Sequence, residues 1–238
     1  MNETTNTSVT TCDVELTDLS KDFIGTAGQL SILRKVDLSL NRGDALAVTG
    51  PSGSGKSTLL YIIGLLDERT AGQIQVLGSN PTGMSESDLA KFRNEHIGFI
   101  FQDHHLLPQC TVLENVLIPL LAGNGVTDAD EKRARDLLTR VGLAERVTHR
   151  PAQLSGGGRH RVAVCRALIN PPAILLADEP TGNLDSHTGG EILDLFDKLH
   201  QERAMTIVMV THEAEVATRA QRLTRCLACV RAASPASA

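Results

Sequence analysis

Residues 45–58 read ALAVTGPSGSGKST. A nearly continuous apolar run ends at Gly50, and a loop of glycines and small residues leads to Lys56, Ser57 and Thr58. Such a run, closed by glycine, reads as a buried strand. The following STLLYIIGLL (57–66) reads as a helix. Between them the spacing G-x-x-x-x-G-K-[ST] is complete, in the strand–loop–helix context that it requires. The glycines let backbone N–H groups turn inward onto phosphate oxygens, and the helix behind adds its positive end. Gly50, Pro51, Ser52, Gly53, Ser54, Gly55, Lys56, Ser57 and Thr58 are therefore candidate ATP-binding residues. Lys56 would reach the β- and γ-phosphates, and Ser57 would ligate Mg²⁺. A plain strand-to-helix turn has no use for Lys followed by Ser.

Outward from the loop, strands alternate with helices. VDLSL (36–40) alternates as a half-buried strand does, and QIQVLG (73–78) is another strand before a turn at NPTG. AILLA (173–177) and TIVMV (206–210) are buried strands, and Ile192, Leu195, Phe196 and Leu199 place a helix between them. This order predicts a mostly parallel sheet with right-handed crossovers. TDADEKRARDLLTRVGL (127–143) is an amphipathic helix, with Ala134, Leu137, Leu138 and Val141 on one face. Thr127 and Asp130 form a capping box, and Gly142 marks a stop. A helical lobe is expected over residues 90–165.

The 238 residues fit one large domain. Aromatics make up 3%, so the core must be aliphatic. The 23 basic and 28 acidic residues leave a net charge of −5, which argues against a nucleic-acid partner. The longest apolar stretches, such as VLIPLLAG (116–123), fall short of the roughly 20 residues of a membrane span. No basic region followed by an apolar run opens the chain, so no signal peptide is expected, and residues 1–12 read as a disordered tail. Cysteines at 12, 110, 165, 226 and 229 are odd in number and scattered, as reduced thiols are. Cys226 and Cys229 form one CxxC, read as two incidental thiols because the tail offers no further zinc ligands.

LLADEP (175–180) puts two carboxylates at the end of a buried strand, where open α/β sheets bind ligands. Asp178 would hold Mg²⁺, and Glu179 would accept a proton from an attacking water. His212, in VMVTHE, falls at the same sheet edge, where a γ-phosphate contact and a structural role both remain open.

QLSGGGRHR (153–161) has no hydrophobic period. Its LSGG, followed downstream by the acidic strand, resembles the signature of the ABC-type ATPases. Gln102 in IFQDHH resembles their Q-loop, Asp185 in TGNLD their D-loop and His212 in THE their switch region. The resemblance covers residues 13–225. It implies an α/β P-loop NTPase with a mostly parallel core sheet, an N-terminal antiparallel β subdomain and an inserted α-helical lobe. One ABC ATPase domain would then span 13–238. It further implies that Glu179, His212 and Gln102 are catalytic, and that Ser57, Gln102 and Asp178 hold Mg²⁺. Phe23, in SKDF, stands where the family often stacks an aromatic on adenine. Leu154, Ser155, Gly156 and Gly157 would close over ATP held by a second copy, in a head-to-tail homodimer around two ATPs. The sequence departs from the family at Gly158, where Gln or Glu is usual, and at Arg159 and His160. Glycine in a first helical turn costs about 1 kcal/mol and removes a side chain that would face the opposite nucleotide.

Three classes of load compete: a transporter, a soluble protein of translation or repair, and a scaffold with little turnover. The segment between Gln102 and Ser155 is too short for a coiled-coil insertion, and intact Lys56, Asp178, Glu179 and His212 oppose a scaffold. FQDHHLLPQCTVLENVLIPLLAG (101–123), HRPAQLSGG (149–157) and LADEPTGNLD (176–185) resemble the LolD/MacB/FtsE branch of transport ATPases. HHLLP and HRP lean toward its lipoprotein-releasing members, whereas FQDHHLL suits its cell-division members equally. This implies a peripheral subunit on the cytoplasmic face of the inner membrane, beneath permease subunits of LolC/LolE type. It would drive lipoprotein cargo toward a periplasmic carrier. Export of macrolides, cell division and a soluble ABC role are the alternatives. The pair His104–His105 is expected on the docking surface for the membrane subunits. RLTRCLACVRAASPASA (222–238) lacks the strand–turn–strand usual near that end, and reads as frayed or specific to this chain.

Overall fold

The computed structural model describes residues 12–25, 28–123, 125–182, 184–212, 217, 218, 220 and 222–225. In chain order β1 (Cys12–Gly25) and β2 (Gly28–Asn41) form a long hairpin, followed by β3 (Ala45–Thr49) and α1 (Lys56–Ile63). Then come β4 (Ala71–Val76), α2 (Glu86–His96), β5 (Ile97–Ile100), α3 (Val112–Leu121) and α4 (Asp128–Arg140). The chain continues through α5 (Gly156–Leu168), β6 (Ile174–Asp178), α6 (Ser186–Arg203), β7 (Thr206–Val210) and β8 (Arg222–Arg225).

Two sheets result. One is antiparallel, in the order β2-β1-β4, and the other is parallel, in the order β5-β6-β7-β3-β8. The central parallel strands β3, β6 and β7 are almost wholly apolar because both faces are covered. Side chains alternate between faces along a strand. Ile174, Leu176, Val208 and Val210 therefore pack with α1 and the antiparallel sheet. Leu175, Ala177, Ile207 and Met209 pack with α3, α4, α5 and α6. All eight side chains are at most 4% exposed. Burying each of them but Ala177 stabilises the fold by about 1.5–3 kcal/mol relative to leaving it in water.

The amphipathic helix starts where its chemistry requires. Thr127 Oγ accepts from Asp130 N–H, and the Asp130 carboxylate accepts from Thr127 N–H and O–H. Ala134, Leu137 and Leu138 are buried, and Gly142 follows the helix in a left-handed conformation. Thr111 and Glu114 build the same capping box on α3.

Two expectations are revised. Residues 97–100 belong to the core sheet and pair with β6, so the helical segment begins beyond them, within the span expected for the lobe. IGFI is four residues long and follows α2 without a break, which leaves no boundary for a pattern to show. Residues 222–225 form a parallel edge strand beside β3, rather than a frayed tail. RLTR carries no apolar alternation, and its place comes from backbone pairing. Cys226 and Cys229 lie outside the described residues.

Candidate active site

Strands β3, β6 and β7 end at one edge of the parallel sheet, and the loop after each turns over that edge. Together with the loop after β5 and the β1–β2 hairpin they enclose a cleft of about 600 Å³. Its walls include Gly50 to Thr58, Phe23, Ile32, Gln102, Asp178, Glu179 and His212. Residues from 50 to 212 are brought together because parallel strands present their carboxyl ends on one side, and the antiparallel hairpin adds Phe23 and Ile32.

The glycine loop is shaped by its neighbours. Gly55 has φ +91°, and a Cβ there would lie 2.8 Å from Ile32 Cγ2 and 3.0 Å from Leu33 Cδ2. Only glycine accepts both the backbone angle and the approach of the hairpin. Lys56 Nζ donates to the carbonyls of Gly50 at 3.0 Å and Pro51 at 3.1 Å, so its ammonium lies across the mouth of the loop. Behind it, Asp178 is 3% exposed. Burial pushes its carboxyl up, a hydrogen bond from the Ser57 side chain pulls it down, Glu179 pushes it up and Lys56 pulls it down. A hydroxyl and a carboxylate side by side, with Gln102 on the same wall, form a hard oxygen donor set suited to Mg²⁺.

Glu179 is held in the left-handed region, with φ 51°. Its N–H donates to the Val210 carbonyl at 2.9 Å, and Oε1 lies 2.9 Å from His212 Nδ1. The second oxygen, Oε2, is buried without a hydrogen-bond partner among the described residues. One oxygen thus faces His212, and the other has no partner among the described residues. Phe23 is 45% exposed and lines the same cleft.

Leu154, Ser155, Gly156 and Gly157 are not among the walls of this cleft. They sit at the start of α5, where exposed Ser155 accepts from Gly158 N–H at 3.1 Å and caps the helix. Gly158 is buried, and a Cβ on it would stand 3.2 Å from Leu154 Cβ. The D-loop lies against this turn, since a Cβ on Gly157 would approach Leu184 Cδ2 to 3.2 Å. Asp185 caps α6 by accepting from Thr188 N–H at 3.0 Å, and that backbone hydrogen bond holds its carboxyl below the ordinary range.

The two adjacent histidines separate. His105 is exposed and borders an apolar groove of about 410 Å³ with Phe99, Phe101, Ile118 and Pro119. His104 turns inward and meets His160 edge to face, with ring centroids 5.3 Å apart. Of the expected pair, His104 therefore packs on α5 and only His105 is exposed. Sequence reading missed the residue that holds this loop. Arg166 donates to the carbonyls of His105 at 2.7 Å and His104 at 2.8 Å, tying the loop to α5. Nothing in the sequence separates it from any other arginine on a helix.

The family model described as ABC transporter matches residues 33–182. The lipoprotein-releasing system ATP-binding protein LolD 1 of Rhodopirellula baltica is 50% identical over 202 residues, covering 85% of this chain and 88% of its own. LolD 2 of Rhodospirillum rubrum is 48% identical, covering 88% of this chain and 91% of its own. Among solved structures, a dimeric ATP-binding cassette in a post-hydrolysis state, bound to ADP and Pi, superposes with a TM-score of 0.89 at 37% identity. It covers 94% of this chain and 99% of its own. Matched by the family model over most of its length and by these relatives over nearly all of it, the chain belongs to the ABC transporter family, as an ATP-binding domain of that family.

Proposed function

We propose that this chain is the ATP-hydrolysing subunit of a lipoprotein-releasing transporter. The observation that carries the reading is the single cleft in which the phosphate loop, the Asp178–Glu179 pair, Gln102 and His212 converge. The names of the relatives supply the load. In this reading the loop of residues 50–58 wraps the triphosphate through backbone N–H groups, and Lys56 swings from its carbonyls onto the β- and γ-phosphates. Phe23 supports the base. Ser57, Asp178 and Gln102 would hold Mg²⁺, which when bound would neutralise charge on the phosphate oxygens. Glu179 takes the proton of the attacking water at Oε2, while His212 fixes its other oxygen and faces the γ-phosphate.

Ser155, Gly156 and Gly157 complete the site of a second copy, since they stand outside this chain's own cleft with a helix N-terminus behind them. The groove beside the Q-loop receives a cytoplasmic helix of the permease. It is apolar, contains His105 and shares Leu66 and Arg93 with a larger hollow of about 710 Å³ beyond. No described helix is long and apolar enough to cross a membrane, which fits a peripheral subunit on the cytoplasmic face of the inner membrane.

Tagged Glu179→Gln protein, incubated with ATP and detergent-solubilised native membranes, tests the reading. Recovery of multi-span permeases with large periplasmic domains is expected. Recovery of division-ring proteins moves the chain to the cell-division branch, and recovery of no membrane protein refutes the transport reading.

A further inference from the structure

Lys21 is 9% exposed and neighbours Phe23, which lines the cleft. Its ammonium donates at 2.6 Å to Asp67 Oδ1 and at 2.6 Å to the Glu68 carbonyl. It also stands 4.8 Å from the centroid of the Phe23 ring. Asp67 is itself anchored: its Oδ1 accepts from Glu68 N–H at 2.8 Å, and its N–H reaches the Tyr61 carbonyl on α1 at 3.3 Å. Lys56, at the other end of that helix, crosses the phosphate loop.

A continuous chain of contacts therefore runs from the phosphate loop along α1, through Asp67 and Lys21, to the aromatic ring. Phe23 needs such a support. It lies near the tip of a hairpin, where its cross-strand partner Leu30 is 62% exposed and gives it little cover. A cation on one face of the ring holds it by attraction to the ring's negative face. Phe23 keeps 45% of its surface exposed and lines the cleft, so the ring retains surface for a flat base.

We propose that Lys21 is a positioning residue for the nucleobase, setting the Phe23 ring at a fixed distance from the phosphate loop. The proposal rests on the reading of Phe23 as the base platform. It goes beyond that reading in naming what holds the platform. The ligand chemistry is a purine nucleoside di- or triphosphate, and the effect must be confined to its base.

The test compares ADP with inorganic tripolyphosphate, which has no base, by calorimetry on the full chain. Lys21→Met keeps the apolar stem and removes the ammonium. ADP binding should weaken by about three- to tenfold, as loss of one partly desolvated cation–π contact predicts, with tripolyphosphate unchanged. Lys21→Arg should restore most of the ADP affinity. In a Phe23→Leu background, Lys21→Met should have no further effect on ADP. Equal weakening toward both ligands means that Lys21 is merely structural and overturns the proposal. If Phe23→Leu weakens ADP but Lys21→Met does not, the positioning role falls and the platform stands. If Phe23→Leu leaves ADP binding unchanged, the platform reading itself falls.

Discussion

Glu179→Gln isolates one proton. The amide keeps the shape of the carboxylate, so the oxygen facing His212 Nδ1 at 2.9 Å can stay in place and the backbone hydrogen bond to Val210 is untouched. The left-handed backbone at this position is equally tolerated by both residues. What disappears is the basicity at the buried second oxygen. Loss of a general base slows the chemical step by about 10²- to 10⁴-fold. That corresponds to about 3–5 kcal/mol of activation free energy. ATP binding should persist, because Lys56 and the loop of residues 50–58 are unaltered. The variant should therefore accumulate as an ATP-bound dimer. Single-turnover hydrolysis at saturating ATP reads the chemical step, size-exclusion chromatography with and without ATP reads the dimer, and thermal unfolding verifies the fold. A folded variant that hydrolyses ATP at the parental rate would refute the assignment, whatever its dimer affinity.

Three further predictions follow from packing and charge. His160 is fully buried, and burial first, then His104, lowers its pKa to about 4 from 6.5, against a small opposing contribution from the Pro180 backbone. The unfolded chain then takes up a proton below about pH 6.5 that the folded chain refuses, so stability should fall between there and about pH 4. Between pH 7 and pH 5 the parent should lose about 2 kcal/mol more than His160→Gln in urea titrations, and equal losses would refute the burial argument. Gly98→Ala should unfold the chain or make it insoluble, because the new Cβ would land 2.4 Å from the Ala167 carbonyl where α5 crosses β5; a soluble variant with parental stability would show that this contact yields freely. Gly158→Gln should change stability by less than about 1 kcal/mol, as improved helix propensity offsets crowding against Leu154, and should tighten ATP-dependent dimerisation. An unchanged dimer affinity would mean that no side chain is wanted at this position.

Much of this protein was legible wherever local chemistry and long-range packing asked for the same residues. ALAVT, AILLA and TIVMV announce buried parallel strands because both their faces are covered. The Thr127–Asp130 box and Gly142 mark helix ends because capping is a matter of a few neighbouring residues. The phosphate loop carries its own spacing. Legibility failed where an element is held mainly by its partner's backbone. IGFI is too short to display a period, and RLTR has none; each strand exists because the neighbouring strand offers an edge. The histidine pair failed differently. Two adjacent residues on one loop look alike in sequence, but His104 meets a ring on α5 while His105 faces the groove.

The chemistry present can be read from the residues alone: a glycine loop with Lys56 and Ser57, paired carboxylates at a strand end, and a serine–glycine turn heading a helix. Those are short motifs, and their function follows from residue types a few positions apart. Which of them share a cleft, and what braces each, depends on how the chain folds. The fold sets Glu179 against His212 across a separation of 33 residues, holds the Q-loop by Arg166 and puts the Lys21 ammonium beneath Phe23. Those relations depend on the parallel strand order and on where two sheets meet α1. The strand order follows from the burial of many side chains at once, so no single stretch of residues contains it.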